Sequence, residues 1–345
     1  MPPRLAFVII SSFILFHSRI VILVNELYRQ LFSMGEVAQV KKIKGGALRL
    51  GNKIGVTAPA SPMHSLDEIT GETSTLAKWG YSIVLGKTVT PMDSDMAGAD
   101  IFRQADLEGL WQNDEISAIW CLRGGYGSLR LLPQLWYDLF RKKPKIMIGF
   151  SDITALEMAL WSQVRLVTFH GPVLTSLKGE FTMNQTFKTL RGENSVELEW
   201  PSGSRESYVP IRSGKVQGII LGGNLSMIAA LTGTRFLPNL EGAIIFLEEV
   251  GEPPYRIDRM LTQLIISGIL PSAAGVIVGR CVPLPQRDEN QLIEIFTERL
   301  RTLKCPAAYG FPIGHIANQW TIPQGVMAEV DIDRGSLVLL EKPVE

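Results

Sequence analysis

The chain has 345 residues, enough for two lobes, because a single hydrophobic core seldom grows beyond about 250–300 residues. Lys plus Arg and Asp plus Glu each number 34, with no long run of either sign, so a polyanion-binding surface has no support and nucleic acid is not expected as a partner. Cys121, Cys281 and Cys305 are too few and too scattered for a disulfide framework and contain no CxxC pair for zinc, which fits a reducing compartment.

The first feature along the chain is the apolar stretch "LAFVIISSFILFHSRIVILV" (Leu5 to Val24), preceded by Arg4 as a signal-peptide core would be. His17 and Arg19 interrupt it, and a centrally placed Arg costs roughly 2.5–3.5 kcal/mol on insertion scales. Two readings stand: a membrane anchor or export signal, or an extension created by start assignment, with translation beginning at Met34.

From Asn52 the pattern alternates. "KIGVTA" is a strand, and "SLDE" offers a capping box from Ser65 to Glu68 for a helix ending near Gly80. "YSIVLG" (strand), "FRQADLEGLWQN" (helix), "ISAIWCL" (strand), "SLRLLPQL" (helix), "KIMIGF" (strand), "DITALEMALW" (helix) and "RLVTFHG" (strand) follow. The strands are continuous apolar runs, as a parallel sheet covered on both faces requires, so a doubly wound α/β lobe is predicted. Between about Leu177 and Lys215 the apolar periodicity lapses, and the composition predicts a connection with at most a short strand. A second, smaller mixed α/β lobe resumes with "VQGIIL", "NLSMIAALTG", "AIIFLEE", "YRIDRMLTQLIISG", "AAGVIVGR" and "NQLIEIFTERL", and a hairpin around Asp333-Arg334-Gly335 closes it. The expected divisions are 1–47 as an apolar extension, 48–176 as the first lobe, 177–215 as linker or substrate loop, and 216–345 as the second lobe.

Ligands of open parallel sheets collect at the carboxyl ends of the strands. At one such end, "IMIGFSD" presents Ser151 between strand and helix, either as a helix cap or as a nucleophile on a sharp turn beside the amide of Asp152. Gly149 matches the first glycine of G-x-S-x-G, and Ile153 replaces the second. At another, "CLRGGYGS" supplies Gly124, Gly125 and Gly127, either a tight turn or a loop whose amides approach an anion. Cys121 there reads as a small hydrophobe. A serine nucleophile needs a base, and four histidines are available: His17, His64, His170 and His315.

In order along the chain, "IGVTAPASP", "CLRGGYGSLRLLP", "IGFSDITAL", "TFHGP", "GIILGGNLS", "FLEEVGEPPYRIDRML" and "GFPIGH" resemble the LD-carboxypeptidases, serine peptidases related to the microcin C immunity hydrolases. The resemblance runs from about Leu48 to the end. It implies Ser151 as nucleophile, His315 as base, Glu248 as the residue orienting the base, and an oxyanion hole from backbone groups of Gly124, Gly125 and Asp152. It further implies a site in the cleft between the lobes, no cofactor and no metal, a cytoplasmic homodimer, and release of terminal D-Ala from murein tetrapeptide in peptidoglycan recycling. A peptide–nucleotide of the microcin C type is the alternative substrate, with the substrate loops expected between Gly179 and Arg212. A non-catalytic protein closing two α/β lobes over a small ligand is the rival from another class.

Overall fold

The computed structural model describes residues 41–345 apart from 194–196, 284 and 286–288, and apart from the side chains of Leu66, Glu68 and Glu72. The apolar stretch, Met34 and the Glu68 carboxylate of the predicted capping box lie outside the described residues. No helix among the described residues is long and apolar enough to cross a membrane.

The first lobe runs β1 (Lys53–Thr57), α1 (Leu66–Lys78), β2 (Ser82–Leu85), α2 (Asp100–Gln112), β3 (Ile116–Cys121), α3 (Tyr137–Lys142), β4 (Ile146–Gly149), α4 (Thr154–Val164), β5 (Thr168–His170) and α5 (Glu180–Arg191). The second comprises β6 (Val209–Arg212), β7 (Lys215–Asn224), α6 (Leu225–Leu231), β8 (Ile244–Val250), α7 (Pro254–Ile266), β9 (Gly275–Val282), α8 (Glu289–Arg301), β10 (Ala307–Phe311), β11 (Ile322–Gln324), β12 (Met327–Asp331) and β13 (Ser336–Leu339).

The first sheet has the order β11-β5-β4-β3-β1-β2, with β5, β4, β3, β1 and β2 parallel and β11 antiparallel at one edge. The chain moves from β1 to β2 on one side and then returns to place β3 on the other, so the loops after β1 and β3 diverge at a topological switch point. β4 is buried throughout and β3 nearly so, as apolar runs covered by helices on both faces must be. The second sheet, β13-β12-β7-β8-β9-β10-β6, is mixed: β7 to β10 are parallel, the β12–β13 hairpin borders β7, and antiparallel β6 borders β10.

Three elements differ from the sequence expectation. "SLRLLPQL" forms a 3-10 turn, Ser128–Leu131, and the helix restarts only at Tyr137, because Pro133 has no amide hydrogen and interrupts the helical ladder. The low-pattern stretch contains α5, whose buried face includes Thr182, Gln185, Thr186 and Thr189 beside Phe187 and Leu190. A face buried through hydroxyls and an amide leaves no apolar period to read. β11 is three residues long and leaves the second lobe's chain order to complete the first lobe's sheet, pairing Ile322 with His170.

The lobes meet where β7 ends. The Asn224 amide donates to Thr154 Oγ1 at 3.1 Å, and Gln324 links Glu157 of α4 (Nε2 to Oε2, 2.7 Å) to the Gly222 amide (3.0 Å to Oε1).

Candidate active site

β4 ends at Gly149, Phe150 remains extended, and Ser151 then turns into the left-handed region at φ 64° before a 3-10 turn leads into α4. A residue with a Cβ held there costs on the order of 1–3 kcal/mol, a strain that persists only where the surroundings enforce it. Ser151 is not the cap of α4: Ile153 holds that position, and the Ser151 Oγ makes no hydrogen bond to another described residue. The turn instead leaves the half-buried hydroxyl at the carboxyl end of the strand.

The loop after β3 lies directly against this hydroxyl. A Cβ on Gly124 would stand 2.9 Å from Ser151 Cβ and 3.1 Å from Oγ, so only a glycine lets the backbone come so near. Ser61, from the loop after β1, fixes that backbone across the switch point. Its amide donates to Gly124 O (3.2 Å), and its Oγ accepts from the Tyr126 amide (3.0 Å) while donating to Asp95 O (2.5 Å). Among the described residues the Gly124 and Gly125 amides donate to no partner. Asp152 turns its carboxylate away from Ser151 and accepts from the Ser128 amide at 2.8 Å. Burial pushes that carboxyl up, against the hydrogen bonds from Ser128 and Gly127.

The second lobe contributes an imidazole–carboxylate pair. His315 Nδ1 lies 2.7 Å from Glu248 Oε2; a carboxylate can only accept, so Nδ1 carries the hydrogen and Nε2 is the remaining basic nitrogen. Gly314, at φ 104°, makes this approach available, since a Cβ there would meet Glu248 Oε2 at 2.8 Å. Phe150, the residue before Ser151, packs its ring on His315 with centroids 4.5 Å apart. Burial alone would raise Glu248, but the His315 charge and hydrogen bond and the His170 charge outweigh it, and the carboxyl lies below its ordinary value. Burial alone would lower His315, but Glu248 outweighs it and holds the imidazole above its ordinary value.

Glu249, the next residue, points the other way. Its carboxylate accepts from Asn224 Nδ2 (2.9 Å), the Ser226 amide (2.9 Å) and Ser226 Oγ (2.6 Å), so it is spent on the entry to α6. Burial, then the Glu248 charge, raises it despite those donors.

Of the other candidates, His64 is exposed after β1, and His170 is wholly buried on β5. Cys121 is buried, and burial foremost, then Glu157 and Asp152, pushes its thiol well up, so it is a neutral core group. A cavity lined by Phe181, Asn184, Gln185, Lys188 and Glu197 lies within the stretch where substrate loops are expected.

Residues 54–171 match the LD-carboxypeptidase N-terminal domain and residues 217–330 the LD-carboxypeptidase C-terminal domain. A probable murein peptide carboxypeptidase of Bacillus subtilis is 34% identical over 300 residues, covering 86% of this chain and 94% of that protein. The chain belongs to the LD-carboxypeptidase family. Among solved structures, muramoyltetrapeptide carboxypeptidase from Oxalobacter formigenes superposes with a TM-score of 0.70 at 28% identity, covering 84% of this chain and 98% of that one. The microcin self-immunity protein MccF in complex with aspartyl sulfamoyl adenosine superposes with a TM-score of 0.81 at 24% identity, covering 88% and 100%, a likeness of fold.

Within this LD-carboxypeptidase fold, the sequence reading overlooks the residues that hold the candidate groups in place. Ser61 stands in the quoted "IGVTAPASP" and Asn224 in "GIILGGNLS", yet nothing in those stretches singles them out. Thr182 Oγ1 donates to Ala317 O (2.8 Å) and accepts from the Gln319 amide (3.1 Å), and Gln185 Oε1 accepts from the Thr321 amide (2.6 Å). α5 thus ties down the loop that carries His315, through side chains with no motif to announce them.

Proposed function

We propose that the protein is a serine LD-carboxypeptidase that cleaves the amide between an L-configured centre and a terminal D-Ala in murein tetrapeptide. The observation that carries the reading is the His315–Glu248 pair at 2.7 Å, packed through Phe150 against the strained Ser151 turn. Ser151 Oγ attacks the scissile carbonyl as His315 Nε2 takes its proton. Glu248 accepts Nδ1–H throughout, fixing the ring and stabilising the imidazolium. The amides of Gly124, Gly125 and Asp152 are the proposed donors to the developing oxyanion, where one such donor is worth roughly 10²–10³ in rate. Collapse breaks the C–N bond, the imidazolium returns its proton to the departing D-Ala amine, and water then releases the peptide from Ser151 by the same steps in reverse roles.

Murein peptides as substrate rest on the names of the relatives, and a homodimer on the family resemblance. The test is to incubate purified protein separately with murein tetrapeptide and with aspartyl sulfamoyl adenosine. Stoichiometric D-Ala from the first, and no turnover of the second, is expected. Turnover of the sulfamoyl compound alone would replace this substrate with a peptide–nucleotide, and binding without turnover of either would favour a non-catalytic role.

A further inference from the structure

Behind Glu248 lies a second set of buried ionisable groups that the mechanism above does not use. Glu157, in the first turn of α4, and His170, at the end of β5, are both 0% exposed, as is Glu248. His170 pairs in the sheet with Gly149, two residues before Ser151. Its Nδ1 is 3.6 Å from Glu157 Oε2, an ion-pair separation longer than a hydrogen bond. The ring is held edge-on between Phe150 (6.0 Å) and Phe246 (5.0 Å). Phe246 is two residues before Glu248 and so projects from the same face of β8. The same Phe150 packs on His315, so both histidines contact one aromatic ring.

Charge balance gives this arrangement its meaning. Among the described residues neither Glu157 nor Glu248 forms an ion pair with a lysine or arginine; their ionic contacts are His170 and His315 respectively. Glu157 Oε1, Glu248 Oε1 and both ring nitrogens of His170 are buried without a hydrogen-bond partner among those residues. Two buried carboxylates without a balancing cation are costly, and removing one partner of such a set leaves a buried charge uncompensated. The other ionisable groups nearby add no positive charge. Glu249 faces α6, and the buried Cys121 thiol stays neutral.

We propose that His170 is a positioning residue: it stands as an imidazolium beside Glu157, packed through Phe246 against the strand that bears Glu248, and holds the Glu248 carboxylate against His315. The inference rests on the reading of Ser151, His315 and Glu248 as the reacting set. His170 touches no reacting atom; it acts through Glu248. Burial foremost raises Glu157, against its contacts with His170 and Gln324.

The test compares His170→Asn with Ser151→Ala and His315→Ala in D-Ala release, with circular dichroism on each. For folded His170→Asn, kcat should fall about ten- to a hundredfold, a loss of the size found when a group that orients a metal-binding imidazole is removed, with KM changed less than about twofold. Removing a positive neighbour raises the proton affinity of the remaining groups, so the acid limb of kcat/KM should move to higher pH. An unchanged kcat, or a lower kcat with an unmoved limb, while Ser151→Ala and His315→Ala are inactive, would overturn the proposal and leave the reacting set intact. An active Ser151→Ala would overturn both. If His170→Asn does not fold, nitrogen-15 histidine spectra of the unaltered protein at pH 7 decide: protons on both His170 nitrogens support the proposal, and a single neutral tautomer overturns it.

Discussion

Glu248 and Glu249 are neighbours on β8 with opposite surroundings, one on His315 and the other on the entry to α6. Glu248→Gln keeps the shape but offers the ring a donor or the wrong tautomer, and should lower D-Ala release by about 10⁴, the cost at the corresponding position of a serine protease. Glu249→Gln should keep most activity and lose stability, by about 1–3 kcal/mol for the donors it no longer satisfies, read as an earlier thermal melt. The raised His315 and lowered Glu248 fix the signs of the pH dependence. The base works only when neutral, so the acid limb of kcat/KM should lie above the ordinary histidine value of about 6.5. In stability, the Glu248 contribution is present above the ordinary carboxyl value and fades as pH falls through its lowered value. The His315 contribution is complete below about 6.5 and fades as pH rises through its raised value. Thermal melts across pH test both slopes. The sequence selects Glu248 by motif position alone, because β8 is apolar on both faces and alternation marks neither side as inward. The partnership of Glu249 with Asn224 and Ser226 depends on where β7 ends and is not visible in the chain.

At the scale of elements, the candidate nucleophile depends on close contact between two loops at the sheet's carboxyl end. Gly124→Ala would push a methyl carbon to 2.9 Å from Ser151 Cβ, so it should lower kcat sharply, by tenfold or more if a donor is displaced, and also melt earlier, by about 1–3 kcal/mol of overpacking. Steady-state kinetics beside a thermal melt separates the two effects. α5 offers the complementary case. Thr182→Val keeps the shape but removes the hydroxyl shared by Ala317 and Gln319, and the resulting freedom of the His315 loop should appear in kcat rather than in KM. Strands and helices were legible where long apolar runs are bounded by turn residues, as in β3, β4 and α4. They were not legible where burial is achieved by polar groups, as in α5, or where a segment as short as β11 joins a sheet from the far end of the chain.

At the scale of the molecule, the first described residues are tied to the last. Lys42 and Lys44 both reach Glu341, the Ala47 amide donates to Glu345 O (2.8 Å) and the Glu345 amide to Gly45 O (3.0 Å). A chain begun at Met34 retains all of these and should fold and turn over normally, whereas one begun at Arg49 loses them and should melt earlier. The two lobes were legible as lobes. Their joint, through Gln324 between Glu157 and Gly222, was not, since it links three residues that no sequence spacing relates. The central claim is that Ser151 is the attacking group, and the direct measurement is D-Ala release by Ser151→Ala, with circular dichroism to establish its fold. Because Ser151 caps no helix and makes no hydrogen bond to another described residue, the variant should fold like the parent, and its turnover should fall by about 10³–10⁶. A folded Ser151→Ala protein keeping more than about a tenth of the parent rate, far above what loss of a nucleophile permits, would contradict the account.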